Sequence, residues 1–253
     1  MSGGRAPYCG IVWSSTYGAV EVIAAALEVA PETLHRMSLT LSEDELQKGG
    51  RFAYEHGWRR FVVARARLRE LLAQRLDLTP QSIAFAYGKR GKPALAPALA
   101  KSGLEFNLAH SADLAVYAFA YDRAVGVDVE AVRVLPDADA IAARFFSPAE
   151  QRAYRALDPC HRMPGFFSCW TRKEAYLKAL GDGLHHPLDA FDVTLAPGEP
   201  AKFVRIGDAP GSECGWRLES FVPASGFIGA VVVEEPLAQS APLKAASSSP
   251  ALL

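Results

Sequence analysis

Apolar residues along this chain follow two rhythms, and they divide it into strands and helices. Alternation with period two predicts strands near residues 8–14, 83–87, 104–109, 114–121, 125–130, 190–195, 202–206, 216–221 and 227–233. Spacing of three and four predicts helices near 20–29, 43–48, 51–76, 137–145, 148–156 and 165–181. The clearest helix, WRRFVVARARLRELLAQRL (58–76), carries Phe61, Ala64, Leu68, Leu71 and Leu72 on one face and arginines on the others. Helix starts are marked by Ser42 with Glu45 three residues on, and by Ser147-Pro148 with Glu150.

The order of elements repeats. Arg51-Phe52, a long helix, a connector and a strand-turn-strand (104–122) are followed by Arg144-Phe145, a helix, a connector and a second strand-turn-strand (216–235). A domain-sized period of this kind predicts a pseudo-duplicated α+β fold. The halves are 1–121 and 122–235, and a ligand cleft is expected where they meet. Residues 236–253 are rich in Ala, Ser and Pro and lack the period of a packed element, so a disordered tail is expected there.

Composition narrows the function without naming it. The 253 residues carry a formal net charge of -1, so no global field draws the chain to nucleic acid or an anionic membrane. Cys9, Cys160, Cys169 and Cys214 form no CxxC pair and suit reduced thiols. No apolar run is long enough to span a bilayer, and a cytoplasmic protein is expected.

Candidate chemistry sits in three segments. In AVGVDVEAV (124–132), Asp128 and Glu130 share one strand face and the valines take the other. Two adjacent carboxylates repel, and a divalent cation, magnesium first, would cancel that repulsion. An exposed strand with an acidic outer face gives the same pattern. In CWTRKEAYLKAL (169–180), Trp170, Glu174 and Lys178 form an i, i+4, i+8 stripe; a solvated ion pair beside a core tryptophan would look alike. In RFFSPAEQRAY (144–154), Glu150 is a further acid at a position where glutamate usually caps a helix. Bases that suit phosphate include Lys48, Arg51, Arg59, Arg60, Arg65, Arg67 and Arg69, together with Lys92 in a Gly-Lys-Pro turn and His110 in a strand-to-strand turn.

Together these segments resemble the Sfp-type 4'-phosphopantetheinyl transferases. The residues that carry the resemblance are Gly126-Val127-Asp128-Val129-Glu130 and Trp170-Thr171-Arg172-Lys173-Glu174-Ala175-Tyr176-Leu177-Lys178, with RGKPAL (90–95), FNLAHS (106–111), RFFSPAE (144–150) and the GDGL…PLDAFDV run (181–193). Five of these motifs stand in the family's order, the GDGL…PLDAFDV run also fits, and together they cover nearly the whole chain before the tail. The resemblance implies a monomer that moves phosphopantetheine from coenzyme A to a serine of an apo acyl or peptidyl carrier protein. It implies magnesium, or manganese, held by Asp128, Glu130 and Glu174, with Lys178 on the pyrophosphate. Arg60, Lys92, Pro93 and His110 would bind the 3'-phosphate and adenine region, and Lys48 would be a further phosphate contact. Glu174 or Glu150, directly or through water, would take the serine proton. Ala109 stands where the family often has serine. Two rivals are a non-catalytic adaptor that binds coenzyme A or a carrier domain, and another magnesium-dependent phosphoryl-transfer enzyme. The lack of a GxxxxGK[ST] loop opposes P-loop chemistry.

Overall fold

The computed structural model describes residues 10–88, 91–181, 187–207 and 215–235. The expected tail at 236–253 lies outside them, as do Arg90, residues 182–184 of the GDGL run, Cys9 and Cys214. The first half runs β1 (Ile11–Tyr17), β2 (Val20–Ala26), α1 (Pro31–Ser38), α2 (Glu43–Gly49), α3 (Glu55–Leu76), β3 (Phe85–Tyr87), β4 (Pro93–Leu95), α4 (Pro97–Ala100), β5 (Leu104–Ser111) and β6 (Leu114–Tyr121). The second runs β7 (Val125–Ala131), α5 (Ala138–Phe145), α6 (Pro148–Ala156), α7 (Pro159–Leu180), β8 (Phe191–Val193), β9 (Phe203–Ile206), β10 (Trp216–Phe221) and β11 (Phe227–Glu234).

The duplication is legible in the topology. One sheet has the order β1-β2-β6-β5 and the other β10-β11-β7, all antiparallel. In each half a strand precedes a 22-residue helix, a small hairpin follows it, and the next two strands complete the sheet. Both long helices end on a left-handed residue, Asp77 at φ 53° and Gly181 at φ 75°. Each helix covers the outer face of its own sheet. Alternate residues of β2 and β6 (Ile23, Ala25, Tyr117, Phe119) pack against α3, and the others (Val22, Ala24, Val116, Ala118) face the second half. There they meet Val125, Val127 and Val129 of β7 with Val231 and Val233 of β11. Each valine fully buried here contributes roughly 1.5–3 kcal/mol relative to exposure, so an apolar layer joins the halves. Trp13 stacks on Phe221 across the same junction, centroids 5.1 Å apart.

Several elements differ from the sequence-based expectation. The helix expected at 20–29 is β2, a central strand buried on both faces. Its nearly unbroken apolar run fits a buried helix or a buried strand, and pairing with β1 and β6 decides between them. Helix α7 begins at Pro159 rather than 165, because Pro164 inside it forfeits only one intrahelical bond, to the carbonyl of Cys160 near the exposed start. The α1 helix, the short α4 and strand β4 were not expected. No helix among the described residues is long and apolar enough to cross a membrane.

Candidate functional site

Strand β7 and helix α7 lie unusually close, and Gly126 is the reason. A Cβ built there would stand 2.1 Å from the Ala175 carbonyl oxygen and 2.3 Å from the Ala179 nitrogen. With no side chain at Gly126, the face carrying Asp128 and Glu130 comes against the helix face carrying Glu174 and Lys178. Lys178 Nζ meets Asp128 Oδ1 at 2.6 Å. Asp128 is 6% exposed, and its Oδ2 is buried with no hydrogen-bond partner among the described residues. Burial pushes the Asp128 carboxyl up to about 6; Lys178 opposes the rise, and Glu174 and Glu130 add to it. Burial likewise raises Glu174 above the ordinary carboxylate range, opposed by Lys178 and reinforced by Glu130.

Glu130 is held differently. Its Oε2 accepts the Ser111 hydroxyl at 2.7 Å and an Arg133 nitrogen at 3.3 Å. Asp128 and Glu130 thus each commit one oxygen to a protein donor and leave the other without a bond among the described residues. Three carboxylates supply only hard oxygen ligands, and the orphaned Asp128 Oδ2 lacks a positive partner; both features fit magnesium. No three acidic, histidine or cysteine side chains among the described residues are already drawn into a metal-ligating group.

The bases gather beside this pole. A cleft of about 400 Å³ is lined by Lys48, Phe52, Phe61, Ala64, Arg65, Gly91, Pro93, Leu108, Ala109, His110 and Lys178. Only Lys178 comes from the second half. A neighbouring hollow of about 350 Å³ shares Phe52, Phe61 and His110 and adds Arg60 and Ser111. The structure therefore brings Lys48, Pro93, His110 and Lys178 together, with Arg60 next door. Desolvation lowers the His110 pKa, and the charges of Lys178 and Arg60 lower it further. His110 lies at the end of β5, not in the turn itself, which is Ala112-Asp113. Arg60 is paired with Asp113 at 2.6 Å. Lys92 donates to the backbone carbonyls of Val125, at 3.4 Å, and of Lys178, and burial lowers its pKa.

Two residues depart from the expectations. Glu150 does not join the cluster. Its Oε2 takes the Ser147 amide at 2.8 Å and the Lys173 ammonium at 2.8 Å, and its Oε1 takes the Val193 amide at 2.8 Å. Both oxygens are engaged in capping α6 and fastening it to α7 and β8, which holds Glu150 away from the acidic cluster. Arg65 was read only as one base among several. Its guanidinium lies 5.0 Å from the Phe85 ring centre and is paired with buried Glu45 at 3.4 Å, while its buried Nη1 has no hydrogen-bond partner among the described residues. Glu45 also holds Arg69 at 2.7 Å and accepts from the Ser42 amide at 3.0 Å, which fixes the helix that carries Lys48. The signal was present in the sequence as Arg65 and Arg69, one turn apart on α3, but their acidic partner lies twenty residues and more away.

Duplicated α+β halves with an acidic pole and a basic cleft at their junction define a two-lobed protein suited to phosphorylated ligands. The chain belongs to the 4'-phosphopantetheinyl transferase family. Residues 124–231 match the 4'-phosphopantetheinyl transferase superfamily, and residues 28–121 match the 4'-phosphopantetheinyl transferase N-terminal family. The chain is 41% identical over 204 residues to the 4'-phosphopantetheinyl transferase HetI of Nostoc, covering 80% of this chain and 83% of that one. It is 33% identical over 160 residues to a 4'-phosphopantetheinyl transferase of Bacillus subtilis (63% and 69% covered), and 29% identical over 167 residues to Sfp of the same species (66% and 72% covered).

Proposed function

We propose that this chain transfers the 4'-phosphopantetheine group of coenzyme A to a serine of an apo acyl or peptidyl carrier protein, releasing adenosine 3',5'-bisphosphate. The observation that carries the reading is the facing of Asp128 and Glu130 on β7 with Glu174 and Lys178 on α7, beside a basic cleft, in a chain of this family.

The serine oxygen bonds to the phosphorus on the pantetheine side, and the bond from that phosphorus to the bridging oxygen breaks. The electron pair leaves with the adenosine bisphosphate, and the serine proton passes to a carboxylate. Glu174, acting through a water, is the better candidate base, because no hydrogen bond or ion pair among the described residues holds its carboxylate, whereas Glu150 is committed to Ser147, Lys173 and Val193. Lys178 neutralises charge on the bridging oxygen, exchanging Asp128 for phosphate. Magnesium, with manganese as a substitute, would be held by Asp128, Glu130 and Glu174 and would neutralise pyrophosphate oxygens. Lys48, Arg60, Lys92, Pro93 and His110 hold the nucleotide end, which gives residues 1–121 the coenzyme contacts and 122–235 the acids. One chain supplies both signs of charge, which supports action as a monomer.

The test is to incubate the full chain with coenzyme A, magnesium and an apo carrier protein, then weigh the carrier. A gain of one phosphopantetheine group is expected. Binding of both ligands with no gain in mass would leave an adaptor instead.

A further inference from the structure

We infer that Ser111 is a positioning residue: from the first half it orients the carboxylate of Glu130 in the second half toward a cation. The inference rests on the cation assignment above and names a device that prepares that site.

Strands β5 and β7 run side by side at the junction, in separate sheets. They are tied by side chains instead of a backbone ladder. Asn107 Oδ1 accepts from the Val127 amide at 3.0 Å, and Ser111 Oγ accepts from the Ala131 amide at 3.1 Å. Both links join residues twenty apart in sequence, so the strands run parallel in constant register. The Ser111 hydroxyl has one proton to give. Its oxygen takes the Ala131 amide, and a carboxylate can only accept, so the O–H points at Glu130 Oε2, 2.7 Å away. That fixes the carboxylate on one side and turns Oε1 to the side left without a bond among the described residues. Arg133 reaches the same Oε2 at 3.3 Å, but it is 54% exposed and lies three residues along the same strand exit, so solvent and salt weaken its hold. Ser111 is the donor anchored at both ends. Partners that fix a metal-binding carboxylate typically change metal affinity by about 10–100-fold.

The experiment titrates the full-length parent and variants with manganese, with coenzyme A present, and reads free Mn2+ by electron paramagnetic resonance. Ser111→Ala should weaken Mn2+ binding by about 10-fold or more. Ser111→Thr, which keeps the hydroxyl, should restore it. Asn107→Ala cuts the neighbouring tie without touching a carboxylate, so it should lower thermal stability and leave Mn2+ affinity near the parent value. Equal affinity in Ser111→Ala and parent overturns the inference and leaves the cation reading intact. Loss in Asn107→Ala as large as in Ser111→Ala assigns the effect to the seam as a whole and overturns the role of Ser111. A parent that takes up no Mn2+ overturns the cation reading together with this one.

Discussion

Asp128 illustrates what one residue can be asked to do. Its carboxyl is buried, one oxygen faces Lys178 and the other has no hydrogen-bond partner among the described residues. An acid whose pKa is raised on folding binds its proton more tightly in the native state. Its stabilising contribution is therefore present at low pH and lost as pH climbs from the ordinary carboxylate value through about 6. The unliganded protein should lose roughly 2–3 kcal/mol from this group across that window, and Asp128→Asn should flatten the fall. Urea midpoints at pH 4.5 and 7 measure it, and an unchanged fall in the variant would clear Asp128 of the effect. Turnover should respond in the opposite sense. Asp128→Ala and Glu174→Ala should each cut it by at least about 10²-fold while the fold survives. A folded variant with near-parent turnover would remove that residue from the site. Arg60→Ala and His110→Ala should mainly raise KM for coenzyme A and narrow the preference over its 3'-dephospho form. An unaltered preference would show that neither reads that phosphate. The acidic pair, Glu174 and Lys178 were legible as residue types at a fixed spacing. Glu150 was legible as an acid, but its use as a cap with Ser147 and a mate for Lys173 depends on folding.

At the scale of elements, the site depends on how closely β7 and α7 approach. Gly126→Ala should destabilise the protein by about 1–3 kcal/mol, since the methyl group would press on backbone atoms of α7 instead of a side chain that can turn away. Chemical denaturation measures it, and a loss below about 0.5 kcal/mol, the usual reach of a surface substitution, would mean the helix shifts freely. The sequence showed the Gly-Val-Asp-Val-Glu strand and the Lys-Glu-Ala helix as separate patterns; their contact follows from a missing side chain. Strand β2 was the harder case. Val20, Val22 and Ile23 sit in a run of apolar residues that reads as helix by spacing, and pairing with β1 on one side and with the distant β6 on the other makes it a strand. Of the short hairpins, β8-β9 and the first strand of β3-β4 were legible, and β4 was missed because three residues carry no periodicity.

The whole molecule divides its labour unevenly between two similar halves. The bases of the cleft come mainly from the first and the acids from the second, so a ligand that needs both binds only the assembled form. Coenzyme A with magnesium should therefore raise the melting temperature, measured by differential scanning fluorimetry, beyond either alone. No rise would argue against a shared site. Only three residues, 122–124, connect β6 to β7. Such a short tether holds each half near its mate at an effective concentration on the order of millimolar. The apolar layer and the β5–β7 ties do not pass through it. A chain severed between Asp122 and Arg123 would then be a two-piece enzyme whose activity rises with the square of dilute fragment concentration, like any bimolecular assembly.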